Sequence, residues 1–297
     1  TGFDEWCVLP GQGNYFSTGF LTPQGTESHP GGYSTDLITD KTLDWLEQRR
    51  NPDQPFFTMC HYKAPHRPWM PHPRYYDRFR DTDLPVPPTL FDDYENRCGV
   101  LKDQNMQISR DFTWDFDLKV FDPGPNADYY GFQTATGAEW NEFARMTPEQ
   151  RAAWDAAYAE ENEALASRRL NRDEMIHWAY QRYVKDYLRC VCGIDDNVGR
   201  LLDGLEAQGL SDNTLVVYCS DQGFYLGEHG WYDKRWMFEE SLRMPLLMKW
   251  PGCIEPGSRF VPMVQNIDYA PTLLEAAGLP VPEKMQGVSL RPVIERQ

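Results

Sequence analysis

The stretch that most restricts how this chain can fold runs from Tyr180 to Cys219. Tyr180, Tyr183, Val184, Tyr187, Val191, Ile194, Val198, Leu201, Leu202 and Leu205 recur at helical spacing, and the pattern stops at Gly209. Thr214-Leu215-Val216-Val217-Tyr218-Cys219 follows, hydrophobic throughout rather than alternating. That predicts a strand covered on both faces, as in a parallel sheet. The same helix-then-strand order recurs upstream. Leu37, Ile38, Leu43, Trp45 and Leu46 mark a helix from Ser34 to about Arg49, Asn51-Pro52-Asp53 stops it, and Phe56 to His61 reads as a strand. Downstream, Pro245 to Trp250 reads as a further strand, and Asp268 is expected to cap a helix that Gly278 closes. The alternation predicts an α/β fold with a doubly wound, mostly parallel sheet flanked by helices.

Between these elements lies a long excursion, at about 81–175, irregular at first and then helical. Its first part is rich in Asp, Pro, Gly and aromatics and has little periodicity. Thr147-Pro148-Glu149-Gln150 then carries a helix start, with Thr as cap, Pro first and Gln third; Asn171-Arg172-Asp173-Glu174 is a second start.

The 297 residues suffice for one large α/β domain or two small ones, and 41% hydrophobic residues give a packed core and argue against global disorder. No apolar run approaches the roughly 20 residues of a membrane span. A net charge of −16 argues against a nucleic-acid partner, although a local group of cations still suits a small anion. The seven cysteines are scattered, and Cys190 and Cys192 point to different sides of the long helix, so they read as structural. The chain opens Thr1-Gly2-Phe3 and stops at Gln297 directly after a turn-and-strand pattern, and both ends are read as cut.

Two loops carry chemistry. In Ser220 to Lys234, Asp221 is the first charged residue after the apolar strand, at the rim where α/β sheets place ligands. Gln222 adds a neutral oxygen beside it, and the pair suits a hard cation such as Ca²⁺, which takes about 6 to 8 oxygens. Gly223, Gly227 and Gly230 permit a tight loop that returns Lys234 towards the rim. Taken alone, Asp221 is as readily a strand-ending cap, and His229 is by default a hydrogen-bonded structural histidine. The second loop, Lys63-Ala64-Pro65-His66-Arg67-Pro68-Trp69-Met70-Pro71-His72-Pro73, is stiffened by four prolines. It presents Lys63 and His66, suited to an anion and to proton donation. Alone, it is more readily a surface loop with incidental polar groups.

Together and in this order, the two loops resemble those of the sulfatases of the alkaline phosphatase superfamily, and most of all bacterial sulfatases of sulfated sugars, including the mucin-desulfating type. Gly32-Tyr33-Ser34-Thr35-Asp36, Asp195-Asp196-Asn197-Val198-Gly199, Arg243-Met244-Pro245-Leu246, Trp250-Pro251-Gly252 and Gln286-Gly287-Val288-Ser289-Leu290 extend the resemblance over nearly the whole chain. The resemblance implies an alkaline-phosphatase-like fold and hydrolysis of carbohydrate sulfate esters. It makes Asp221 and Gln222 ligands of Ca²⁺ or Mg²⁺, Lys234 a holder of sulfate oxygens, and His66 a group that assists departure of the alcohol. Lys63, Arg67, His229 and Arg235 are candidate sugar contacts.

The family's nucleophile is a formylglycine made from the first residue of a Cys-or-Ser, x, Pro-or-Ala, x, Arg motif. None of the seven cysteines opens one: Cys7-Val8-Leu9-Pro10 has Pro one place late and no Arg. The chain is therefore expected to be a partial catalytic domain spanning 1–297, with the formylglycine upstream and the family's small C-terminal subdomain absent. A formylglycine-generating enzyme is the implied maturation partner, and the periplasm or the exterior the implied location. The competing expectations are a phosphate mono- or diester hydrolase of the same superfamily, and an incomplete fragment without activity.

Overall fold

A computed structural model describes residues 2–129, 131–135 and 142–295. In chain order they carry β1 (Gly19–Thr22), β2 (Gly25–Ser28), α1 (Ser34–Asp44), α2 (Val100–Asp103), α3 (Pro148–Ser167), α4 (Arg172–Ala207), β3 (Val216–Cys219), β4 (Tyr225–Leu226), β5 (Tyr232–Asp233), α5 (Glu239–Leu242), β6 (Leu246–Lys249), α6 (Tyr269–Ala276) and α7 (Arg291–Ile294). The chain divides into two compact units. The first comprises Thr1–Gln208 with Tyr225–Asp233, and the second Gly209–Phe224 with Lys234–Gln297.

In the first unit, both expected helix starts form. The Thr147 side chain accepts from Gln150 N while Gln150 returns a bond to Thr147 N, and Asn171 and Glu174 do the same for α4. At 36 residues α4 is about 54 Å long. Met175, Ile176, Ala179, Tyr180, Tyr183, Val184, Cys190 and Ile194 form its buried stripe, so Cys190 lies in the core, where burial pushes its thiol up to about 12. The first predicted helix keeps its span, with its last turn, Trp45–Arg49, widened to π-helical geometry. Asp36 of α1 accepts from Asn197 Nδ2 of α4 at 2.7 Å and pairs with Arg74 at 2.5 Å. The Tyr75 hydroxyl donates to Asp196 at 2.5 Å. The Gly32–Asp36 and Asp195–Gly199 stretches thus cross-link helices.

Beside Asp36, His72 has a folded pKa lowered to about 4, by burial first and then by Arg74, against the opposing pull of Asp36. Its unfolded value is about 6.5, so between roughly pH 6.5 and 4 the unfolded chain binds a proton that the folded one refuses. Stability is therefore expected to fall by about 1–2 kcal/mol as pH drops through that window, discounted for the quarter of the side chain left exposed. Urea titrations at pH 7 and pH 4.5 check this. If His72→Gln shows the same pH-dependent loss, the assignment is wrong.

The predicted strand Phe56–His61 does not form: it belongs to no ladder among the described residues. Phe57, Thr58 and Met59 are exposed, Phe57 at 57% and Met59 at 50%, while Tyr62 just beyond places its hydroxyl 2.9 Å from Thr39 Oγ1. A strand needs a neighbour to hold its backbone groups, and none of the described segments supplies one.

In the second unit, β3 pairs with β6 in antiparallel register, Val216 opposite Lys249 and Cys219 opposite Leu246. The expectation of a strand buried on both faces is corrected here, because β3 is half-buried and Leu247 is 61% exposed. All three ladders among the described residues, β1–β2, β3–β6 and β4–β5, are antiparallel pairs, so no parallel ladder lies among them. The helix α6 ends as expected, with Gly278 at φ +70°. Asp268, however, does not cap it with its side chain. Its carboxylate accepts from Gln265 N at 2.8 Å and Val288 N at 2.9 Å, tying two loops together. Between them Gly287 has φ +90°, and a Cβ there would lie 2.2 Å from Ile267 O. Only glycine fits, which accounts for the Gln286-Gly287-Val288 sequence. No helix among the described residues is long and apolar enough to cross a membrane.

Candidate active site

In the first unit the proline-rich loop is held from behind by segments distant in sequence. The Tyr15 hydroxyl donates to the His66 carbonyl at 2.5 Å, and Tyr15 N and Phe16 N donate to the buried Glu142 carboxylate at 3.1 and 3.2 Å. Burial pushes the Glu142 carboxyl up, against the lowering effect of those amides. Lys63 is 8% exposed; its ammonium donates to Gln12 O at 3.1 Å and lies 5.0 Å from the Tyr15 ring centroid. The Trp69 carbonyl accepts from the buried Lys119 ammonium at 3.0 Å, and Trp69 packs on Tyr183 at 4.5 Å between ring centroids.

The imidazole of His66 is fixed by the backbone carbonyl of the next residue. Nδ1 lies 2.8 Å from Arg67 O, and a carbonyl can only accept, so Nδ1 carries the proton. The neutral ring then has its lone pair on Nε2, and in the charged form the transferable proton sits there. Arg67, next in sequence, does not extend freely: it forms a two-pronged bond to Asp117, Nε to Oδ1 and Nη2 to Oδ2, each 2.5 Å. Burial alone would lower the guanidinium pKa, but Asp117 more than offsets this and the net shift is upward.

His229 sits in left-handed backbone at φ 58°. Its amide donates to Thr89 Oγ1 at 2.9 Å and its carbonyl accepts from Tyr94 OH at 2.5 Å. Its Nδ1 is 3.2 Å from Arg97 Nη1 and 3.4 Å from Asp92 Oδ2. The flanking glycines are required: a Cβ on Gly227 would stand 2.6 Å from the Tyr180 ring, and one on Gly230 2.8 Å from Leu90 O.

In the second unit, Asp221 is exposed and Gln222 half-buried at the end of β3, with Ser220 Oγ 3.3 Å from Asp221 Oδ1. Gly223 follows because a Cβ would meet Glu240 O at 2.1 Å, while its amide donates to Ser241 O at 2.9 Å. That seat on α5 fixes the direction in which Asp221 and Gln222 leave the strand. Lys234 has its ammonium 5.8 Å from the Phe224 ring centroid, and Arg235, exposed, bonds through its amide to Ser241 Oγ at 3.4 Å. The donors Asp221 and Gln222 are all oxygen, which fits part of a hard-cation shell. Among the described residues no group of three or more His, Cys, Asp or Glu gathers as a metal site.

Lys63, His66 and Arg67 thus share one loop of the first unit and His229 another, while Asp221, Gln222, Lys234 and Arg235 share the second unit. Asp117, Asp92, Tyr15 and Glu142 were not picked out from sequence. Each acts across a long separation, Asp117 on Arg67 at 50 residues, and no local pattern marks such a bond.

Residues 227–297 match the family model of the C-terminal part of N-sulphoglucosamine sulphohydrolase. The N-acetylglucosamine-6-O-sulfatase of Bacteroides thetaiotaomicron is 44% identical over 299 residues, covering 100% of this chain and 52% of the relative. A solved structure in complex with its substrate D-glucosamine-2-N,6-O-disulfate superposes with a TM-score of 0.92 at 43% identity, covering 100% of this chain and 59% of that one. The human N-acetylglucosamine-6-sulfatase is 26% identical over 99% of this chain and 42% of its own length. The chain belongs to the sulfatase family and has its alkaline-phosphatase-like α/β fold. It spans about half the length of the curated relatives it matches. Because 227–297 match a C-terminal family region, part of that region lies within the chain, against the expectation that it is absent.

Proposed function

We propose that the protein to which these residues belong hydrolyses the sulfate ester of a sulfated glucosamine. The observation that carries this reading is the 44% identity, over the whole chain, to an N-acetylglucosamine-6-O-sulfatase. In this reading Asp221 and Gln222 give two oxygens to a Ca²⁺ or Mg²⁺, which when bound supplies positive charge to the transferring sulfuryl group. Lys234 adds a second positive charge towards the sulfate oxygens. His66, protonated on Nε2, gives that proton to the departing sugar oxygen. The ring then returns to the Nδ1–H form that its bond to Arg67 O already favours. Lys63, Arg67, His229 and Arg235 face the sugar or hold what does. The nucleophile is a formylglycine outside these residues, so the isolated chain is expected to be inactive, and export is part of the proposal.

The test is sulfate release from glucosamine 6-sulfate and N,6-disulfated glucosamine by the complete gene product, made with and without a formylglycine-generating enzyme. Release only after co-expression is expected. No release in either preparation refutes the proposal, and phosphate release from a sugar phosphate in its place moves the protein to phosphoester chemistry.

A further inference from the structure

Arg67 is a donor whose aim is set from elsewhere in the chain. Its Nε and Nη2 are both taken by Asp117, a carboxylate with no exposed surface, and its guanidinium packs on the rings of Phe116 and Tyr232, 5.2 and 5.3 Å from their centroids. Asp117 is itself anchored: Oδ2 accepts from Thr113 N at 2.8 Å and Thr113 Oγ1 at 3.0 Å. A planar fork clamped along one edge by a buried carboxylate and packed by two rings has little rotamer freedom left to lose on binding. The side chain nevertheless keeps 28% of its surface exposed, and among the described residues no hydrogen bond engages its Nη1 edge.

We propose that Arg67 reads an uncharged oxygen, a hydroxyl, of the sugar beside the transferring sulfate, and that Asp117 is the positioning residue that aims it. The proposal rests on the sulfatase reading above. Its basis is threefold. Arg67 follows the proton donor His66 directly, so its reach is limited to groups near the bond that breaks. Its charge is already balanced by Asp117 at 2.5 Å, which weakens its pull on a further anion but leaves its hydrogen-bond geometry intact. The carboxylate comes from the irregular first part of the excursion at about 81–175, which makes that part a contributor to substrate selection.

The experiment is steady-state kinetics of the complete, formylglycine-bearing protein on glucosamine 6-sulfate, with Asp117→Asn and Arg67→Lys beside the wild type. Asp117→Asn keeps the shape but loses one acceptor, and Arg67→Lys keeps the charge but loses the fork. Each is expected to raise KM about tenfold while kcat falls less than threefold, with the pH profile of kcat unmoved. A purely structural role would lower kcat through lost folded enzyme and leave KM alone. Unchanged KM in either variant, with an active wild type, overturns this inference only. A wild type without turnover overturns the sulfatase reading and this inference with it.

Discussion

Asp186→Ala is expected to destabilise the first unit by about 3–5 kcal/mol, a large share of the 5–15 kcal/mol that holds a typical domain folded. Asp186 has no exposed surface and is shared by three partners: Lys119 Nζ at 2.9 Å, Arg189 Nη1 at 2.9 Å and the Tyr158 hydroxyl at 2.5 Å. Burial pushes its carboxyl up, but Lys119, Arg189 and Arg182 outweigh burial and hold it below the usual carboxylate range. Among the described residues, removing it leaves the fully buried Lys119 charge with the carbonyl and the ring of Trp69 but no counter-charge in contact. Since the folded pKa is depressed, the stabilisation is present above about pH 4, the unfolded value, and is lost as pH falls through the folded one. Urea unfolding followed by tryptophan fluorescence measures the effect, and the gap between wild type and variant should narrow in acid. A second change, Lys119→Met, should restore part of the loss by removing the orphaned charge. A loss below 1 kcal/mol in the single variant would show that the cluster is not what holds the Trp69 end of the proline-rich loop.

The largest expected effect on activity belongs to His66→Ala in the complete protein, a fall in kcat of about 10²–10⁴-fold on a sugar sulfate, the range for a lost general acid. A sugar hydroxyl is a poor leaving group and needs its proton, whereas a nitrophenolate leaves without one. The loss on an aryl sulfate should therefore be smaller by at least about tenfold. Equal losses on both substrates would assign His66 to binding or to loop structure instead of proton donation.

Much of this was legible along the chain, and the limits follow from what local sequence encodes. Both capped helix starts, at Thr147 and Asn171, were read correctly because a capping box closes within three residues. The end of α6 at Gly278 was equally local. Asp268 was misread because its carboxylate closes a capping box back to Gln265 on the preceding turn and reaches Val288, 20 residues on, which leaves it none of the amides of α6 to cap. The covering of β3 was misread because hydrophobicity reports a preference for burial and says nothing of which neighbour is present. For the candidate site, local pattern singles out the loops after each apolar run, and within them His66 and Asp221 as candidates. Asp117 and Glu142 were not, since they come from a segment with no period and act through bonds that span 50 residues or more.

The segment from Phe56 to His61 has a colloidal consequence. Among the described residues its backbone joins no ladder, and Phe57 and Met59 are exposed, so it is expected to serve as a template for an extended peptide, another copy included. What opposes that encounter between copies is their shared charge of −16. That repulsion reaches about 30 Å in 0.01 M salt but only about 8 Å at physiological ionic strength. Whether this polypeptide stays dispersed by itself is thus governed by added electrolyte at least as much as by heat.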